Sequence, residues 1–334
     1  MTEGALPPGP RVWCRFATAF LAVLLGGLGS IYVALVVLDP YDTARFPTFM
    51  PPGVPDDGSR TANASRGRDR RFDAAIFGNS RGQLLDPAKL SQATGASFVQ
   101  LTTPGSGPKE HMTLMRYFMA HHHRIEAMVL NVDERWCGHD PSLPIIFPFP
   151  FWLYRGDLEY LAHLLSTRAI AFAQNRIKLA IGLISSPDPR GYMDYETGRA
   201  RNFHPAVAAD PGTAVPAKPI NTYFPALEQL DALLAELPPQ IGFVIVMPPV
   251  YQAMLPRPGT QVAADLPACK AALARLVDRP RRGFLDYLVD GPISRDPDNF
   301  MDLEHYRMNI ARLIEARIAA VLGVGANAGI GRDH

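Results

Sequence analysis

The 23 residues from Phe16 to Leu38 carry no charge, and this run constrains the chain more than any other stretch. At a rise of 1.5 Å per residue, such a run is long enough to cross a hydrocarbon core of about 30 Å. In lipid, every backbone polar group must be satisfied within the segment, so the run is expected to be a helix. Arg11 and Arg15 precede it and Asp39 and Asp42 follow it. The excess of basic residues on one side predicts a cytoplasmic stretch over 1–15, a membrane anchor over 16–38 and the remainder of the chain in the extracytoplasmic (periplasmic) space. A cleaved signal peptide has a shorter apolar core and a small-x-small exit. The exit here is Val36-Val37-Leu38-Asp39-Pro40, so an uncleaved anchor is expected. Gly26, Gly27, Gly29 and Ser30 form a small-residue face that suits packing on another membrane helix, although glycine is frequent in membrane helices generally.

Residues 39–71 are rich in Pro, Gly, Asp and Arg and lack apolar periodicity. They read as a linker, either a free tether or a strip packed on the domain surface. From residue 72 to 324, short apolar runs alternate with amphipathic ones. Strands are expected at Phe72–Phe77, Ala96–Leu101, Ile125–Val132, Ile241–Met247 and Gly283–Leu288, with helices between them. This alternation predicts an α/β domain with one central parallel sheet covered on both faces. A flavodoxin-like order of 2-1-3-4-5 would place a ligand-binding crevice between strands one and three. Residues 138–221 interrupt the pattern and are too long for a plain loop. Two helices are expected there, Gly156–Leu165 and Arg168–Ile184, preceded by an aromatic-proline run from Pro144 to Tyr154. That run suits a cap on the site, a membrane-interface contact or a docking surface, and equally a small core of its own. Residues 325–334 read as a flexible tail.

Two short blocks carry the chemistry. Phe72–Phe77 leads into Gly78-Asn79-Ser80-Arg81, so Ser80 falls just past the carboxyl end of a strand. Ligands bind at that rim in open α/β sheets. Asp86-Pro87 then opens a helix as cap and first residue. Far downstream, Asp302-Leu303-Glu304-His305 enters a helix expected over Leu303–Val321. An aspartate three residues before a histidine can hold the imidazole by Nδ1 and leave Nε2 free to take a proton from a serine. Each block alone also reads blandly, as a turn serine, a helix cap and a surface histidine.

Gly78-Asn79-Ser80-Arg81 after the first strand and Asp302-x-x-His305 before the last helix resemble the SGNH/GDSL hydrolase superfamily over roughly residues 72–322. The resemblance is closest to its membrane-anchored branches, such as polysaccharide O-acetyltransferases and the teichoic-acid D-alanyl transfer protein. It implies a three-layer fold, a catalytic Ser80, Asp302 and His305, and no metal or organic cofactor. Gly105, in Thr102-Thr103-Pro104-Gly105-Ser106-Gly107, matches the superfamily's second glycine, whose N–H helps to hold an oxyanion. An ordinary loop glycine is the alternative, and Gly107 competes for the role. The third block departs from the pattern: Gly-x-Asn-Asp is replaced by Leu130-Asn131-Val132-Asp133. Either Asn131 completes the oxyanion hole or Asp133 takes the equivalent place, because donor geometry decides.

A net charge of +1 argues against a nucleic-acid binder. His121-His122-His123 falls at a helix end, where histidines complement the dipole, and no further metal ligands at suitable spacing accompany it. Arg81 suits an anionic group or an ion pair. With three cysteines in the chain, a Cys137–Cys269 pairing is left open by the sequence. The expected function is therefore acyl transfer through a serine ester, with O-acetylation of a cell-envelope polysaccharide favoured by the resemblance. The partners would be an acyl donor, an envelope acceptor and an integral-membrane protein supplying acyl groups. A plain esterase differs only in the final acceptor. The rival from another class is an inactive scaffold or polymer-binding subunit of an envelope complex.

Overall fold

The structure, a computed structural model, describes residues 9–54, 58–138, 140, 147–185, 187–197, 203 and 220–323. The chain begins with α1 (Pro10–Leu38) and α2 (Ser59–Gly67), followed by β1 (Ala74–Phe77), α3 (Pro87–Thr94), β2 (Phe98–Gln100), α4 (Pro108–His121) and β3 (Ala127–Asn131). Next come α5 (Asp157–Leu164), α6 (Thr167–Ala180), α7 (Pro225–Ala235), β4 (Gly242–Met247), α8 (Gln261–Leu276), β5 (Arg282–Asp286), α9 (Pro292–Arg295) and α10 (Met308–Gly323). The five strands form one sheet in the order β2-β1-β3-β4-β5, and every pairing is parallel. The register sets Ala74 opposite both Phe98 and Ala127, and Ala127 opposite Gly242.

Alternation along the strands divides the core in two. Ala75, Phe77, Met128, Leu130, Phe243 and Ile245 face a cluster shared with α4, α7 and α8. Ala74, Ile76, Val129, Val244 and Val246 face a second cluster, shared with α3 and α10. The residues of β1 to β4 are almost wholly buried on both faces, whereas β5, at the sheet edge, is half-buried. Each large apolar side chain so buried contributes about 1.5–3 kcal/mol relative to exposure. This two-sided burial is why the strands read as continuous apolar runs.

α1 is long and apolar enough to cross a membrane. Phe16, Phe20, Val23 and Leu25 are exposed along it, whereas Leu35 joins the domain core. Its carboxyl end is fixed by Arg176, which is 1% exposed and donates to the carbonyls of Leu38 and Asp39. Arg176 also faces the buried Asp42 carboxylate at 3.3 Å. The 39–71 stretch packs on the domain rather than hanging free: Tyr41 is 1% exposed, and α2 is buried along most of its length. Its polar composition is accounted for by internal pairs, with Asp42 accepting from Ser65 and Arg68.

Element ends differ from the sequence expectation. The strands are shorter: Phe72 closes a turn onto the Asp69 carbonyl, and Asp73 bonds Ser97 and Glu126 at the entrance to β1, which begins at Ala74. The last helix begins at Met308, not Leu303. Asp302 and His305 therefore lie in a turn ahead of the helix. The two inserted helices form close to where they were expected. In the aromatic-proline run, Phe149 and Tyr154 stack at 5.2 Å and Tyr154 meets Tyr117 of α4 at 5.1 Å, so this part packs on the domain. Residues 144–146 of that run and the expected tail at 325–334 lie outside the described residues.

Candidate functional site

The Ser80 turn is held from three sides. Gly78 ends β1 with φ +143°, and a Cβ there would come within 2.6 Å of the Asn131 Cβ, so only glycine fits. The Gly78 carbonyl accepts from the Thr103 N–H at 2.8 Å, tying the turn to the loop after β2. The Asn79 side chain accepts from the Arg81 N–H and donates from Nδ2 to Asp133 Oδ2 at 2.7 Å, tying it to the loop after β3. Tyr306 donates its hydroxyl to the Arg81 carbonyl at 2.8 Å, tying it to the segment that carries His305. Ser80 itself is half-buried.

The Asp302–His305 turn has its own frame. Phe300 and Tyr306 form an antiparallel bridge, and the Met301 N–H donates to the His305 carbonyl at 2.8 Å. Asp302 Oδ1 accepts from the backbone N–H groups of Glu304 and His305, each at 2.8 Å. This is an aspartate turn rather than a helix cap. His305 Nδ1 lies 2.9 Å from both carboxylate oxygens of Asp302. His305 Nε2 lies 2.9 Å from Ser80 Oγ, across 225 residues of sequence.

These contacts dictate a tautomer. The carboxylate accepts only, so the imidazole proton sits on Nδ1, and the Nε2 lone pair accepts from the Ser80 hydroxyl. Partial burial alone would raise the Asp302 carboxyl, but the hydrogen bonds from His305 and the Glu304 N–H outweigh it and hold the group down at about 2. Asp302 is thus ionised at any ordinary pH. Chemically, the array can draw a proton from Ser80 and stabilise the imidazolium that forms.

The other expected residues fall as follows. Gly105 lies on the loop after β2 with φ +62°, next to the Thr103 contact on Gly78. Asn131 is the last residue of β3 and wholly buried, against Gly78 and Gly82; neither end of its amide has a hydrogen-bond partner among the described residues. Asp133 is wholly buried and paired with Arg135 at 2.7 Å. Burial pushes its carboxyl upward, opposed by Arg135. Its contact with Asn79 makes it a support for the serine turn. Arg81 is 3% exposed and faces Glu134 at 3.6 Å and Glu304 at 3.8 Å, linking the serine turn to the loop after β3 and to the His305 segment. His121 and His122 contact the carbonyls of Tyr117 and Phe118 in the last turn of α4. Among the described residues, no three His, Cys, Asp or Glu side chains converge so as to hold a metal ion. Cys137 and Cys269 form a disulfide joining the loop after β3 to α8.

The sequence reading did not find the supports supplied by Asn79, Tyr306 and α2. The α2 side chains Arg60 and Asn63 donate to the carbonyls of Pro104 and Thr102, bracing the Gly105 loop. Nothing in their spacing marks them; an asparagine within an otherwise polar, proline-rich stretch reads as solvated. No family model matches the chain, and no curated protein shows significant similarity to it.

Proposed function

We propose that the chain is a membrane-anchored serine acyltransferase or esterase with the three-layer SGNH fold. The observation that carries this reading is the Ser80–His305–Asp302 relay, with both contacts at 2.9 Å, at the carboxyl end of β1. His305 Nε2 takes the Ser80 proton as Oγ attacks the acyl carbonyl carbon. The carbonyl π pair moves onto oxygen, and the N–H groups of Ser80 and Gly105 are the proposed donors to that oxyanion. Collapse expels the leaving oxygen, which takes the proton from His305, and leaves an ester on Ser80. A sugar hydroxyl or water, deprotonated by His305, then attacks the ester carbonyl, and collapse expels Ser80 Oγ, which takes the proton back from His305.

The anchor and the disulfide support an extracytoplasmic site. The Arg11 and Arg15 side of α1 favours the cytoplasm, and structural disulfides persist in oxidising compartments. O-acetylation of an envelope polysaccharide, fed by an integral-membrane acyl supplier, is the task favoured by the family resemblance. Incubation of the detergent-solubilised chain with p-nitrophenyl acetate, followed by peptide mass mapping, tests the chemistry. An acetyl group on Ser80, absent from Ser80→Ala, is the expected result. Full ester turnover by Ser80→Ala would contradict it.

A further inference from the structure

The helices inserted after β3 lead back to α1: both α5 and α6 pack on it. α5 starts against the domain, where Asp157 accepts from Arg45 at 2.7 Å. It ends against α1, where the Tyr32 hydroxyl donates to the Leu161 carbonyl at 3.1 Å. α6 retraces the path. Phe172 meets Tyr41 at 4.9 Å, and Arg176 donates to the Leu38 and Asp39 carbonyls at the end of α1. The turn at 165–166 is therefore the tip of a hairpin directed back along α1. About 20 residues fill a hydrocarbon core of about 30 Å; counted from Phe16, the residue after Arg15, they end at Leu35. Tyr32 and the hairpin tip beside it thus fall level with the outer edge of that core. The loop after α1 reaches the same level, because Phe49 lines one groove with Ser30, Val33 and Val37.

These segments turn apolar side chains outward. Phe49 is 76% exposed and Leu165 at the tip 51%. Ile170, Ile177 and Ile181 form an exposed stripe that begins beside the tip, at helical spacing. The side of α6 that packs inward is a different one, made by Ala169, Phe172, Ala173 and Arg176. From Tyr160 to Pro187 the chain carries Arg168, Arg176 and Lys178 and no Asp or Glu. Arg168 and Lys178 are exposed. Exposed apolar groups beside cations, with no acid among them, match the boundary between acyl chains and phosphate headgroups. Position decides the occupant. Where α1 crosses a bilayer, lipid surrounds its outer turns and so reaches the hairpin tip and Phe49 without any further partner.

We propose that the α5–α6 turn and the Phe49 loop seat in the outer headgroup–acyl boundary of the bilayer that α1 crosses, giving the domain a second contact with lipid. The proposal rests on the reading of α1 as a membrane anchor and is independent of the acyl-transfer chemistry. Its consequence is that the domain carrying Ser80 is held against the bilayer instead of swinging from a single helix.

The test is depth-dependent fluorescence quenching in the full-length chain, reconstituted at a high lipid-to-protein ratio in vesicles of phosphatidylcholine and phosphatidylglycerol. Cys14→Ser removes the free thiol. An environment-sensitive nitrobenzoxadiazole label is then attached, one position at a time, at Leu165→Cys, Phe49→Cys, Val23→Cys within α1 and Leu313→Cys. All four positions are exposed, and Leu313 lies on α10, on the sheet face opposite the core cluster that α1 joins. The melting temperature of each variant checks its fold. Phosphatidylcholine spin-labelled near its headgroup should quench Leu165 and Phe49 about twofold or more beyond Leu313, and more than lipid spin-labelled near the chain end does, as an interfacial depth of about 5–10 Å requires. Val23 should show the opposite depth preference. Quenching at Val23, with Leu165 and Phe49 no more quenched than Leu313, would overturn the second contact and leave the anchor. No quenching at Val23 would remove the anchor and the proposal with it. Blue-shifted emission at Leu165 that neither spin-labelled lipid quenches would show that protein, a second copy of the chain, covers this face, and would also overturn the proposal.

Discussion

Among the described residues, two serine–histidine pairs are in close contact, and they are built differently. Ser80 Oγ lies 2.9 Å from His305 Nε2, and Ser106 Oγ lies 2.7 Å from His111 Nε2. On the proposed reading, the shorter contact belongs to the unreactive serine. Ser106 also donates to the Thr103 carbonyl at 2.5 Å, so its single proton is used there. His111 must then carry its proton on Nε2 and donate to Ser106, while Nδ1 has no partner among the described residues. In that tautomer it is no base for Ser106. His111 is wholly buried and stacks on Trp136 at 5.9 Å, and burial, reinforced by Arg135, pushes it down to about 3. His305 differs in the third group: Asp302 fixes the proton on Nδ1 and turns the lone pair toward the serine. His305 remains 27% exposed at its side chain, open to solvent. Distance alone does not separate the pairs; tautomer and access do.

The comparison is broken most readily at the relay. Ser80→Ala or His305→Ala should lower ester turnover by about 10³-fold or more, with a melting temperature near that of the parent, because both side chains are partly exposed. The double variant should be hardly worse than either single one; multiplicative losses would mean the two residues do not act together. Asp302→Asn comes next. The amide can favour the wrong tautomer, which costs about 10⁴ in a serine protease. A kcat loss of about 10²-fold or more is expected here, with KM changed less.

Asn79→Ala should have an intermediate effect, since it cuts the tie to Asp133 and loosens the turn. A misplacement of about 1 Å can cost about 10²-fold, so a kcat fall of about tenfold to a hundredfold is expected with little change in KM. Ser106→Ala should do the reverse of the relay variants. Turnover should stay within about threefold, while stability falls by about 1–3 kcal/mol as the buried His111 loses its partner, measured by urea unfolding.

The smallest effect is electrostatic. Asp302 is lowered from 3.8 to about 2 in the folded chain, so its contribution to stability is present above the unfolded value and is lost as pH falls through the folded one. Asp302→Asn should therefore lower the melting temperature at pH 6, and the difference should shrink as pH falls from about 4 toward 2. A difference independent of pH would show that the carboxylate is not held ionised by its neighbours.

The sequence made the sheet legible because parallel strands buried on both faces leave unbroken apolar runs; alternation with helices gives parallel pairing but not order, and the 2-1-3-4-5 order was expected only by likeness to a flavodoxin-like sheet. Ser80 and the Asp302–His305 pair were legible for a different reason: each needs a turn, and Gly78 and Asp302 are turn-forming residues. The helix start was misplaced for the same cause. Asp302 was placed at the helix entrance, as the partner of His305 or a plain cap, whereas it organises a turn six residues before helical geometry begins at Met308. Asn131 was read for its amide, yet its backbone position at the end of β3 and the two glycines against it decide where that amide goes. The packing of residues 39–71 stayed hidden because its polar groups are matched by partners at irregular separations, from Asp42 with Ser65 and Arg68 within the stretch to Arg176 over a hundred residues away. Composition shows a polar stretch and cannot show what neutralises it.

The central claim is that Ser80, and not the more closely paired Ser106, is the activated serine. Treating the full-length protein with a fluorophosphonate probe and mapping the modified peptide tests it directly. The expected result is one adduct, on Ser80, slowed in Asp302→Asn and lost in His305→Ala. An adduct on Ser106, or one on Ser80 that survives His305→Ala at the parent rate, would contradict it.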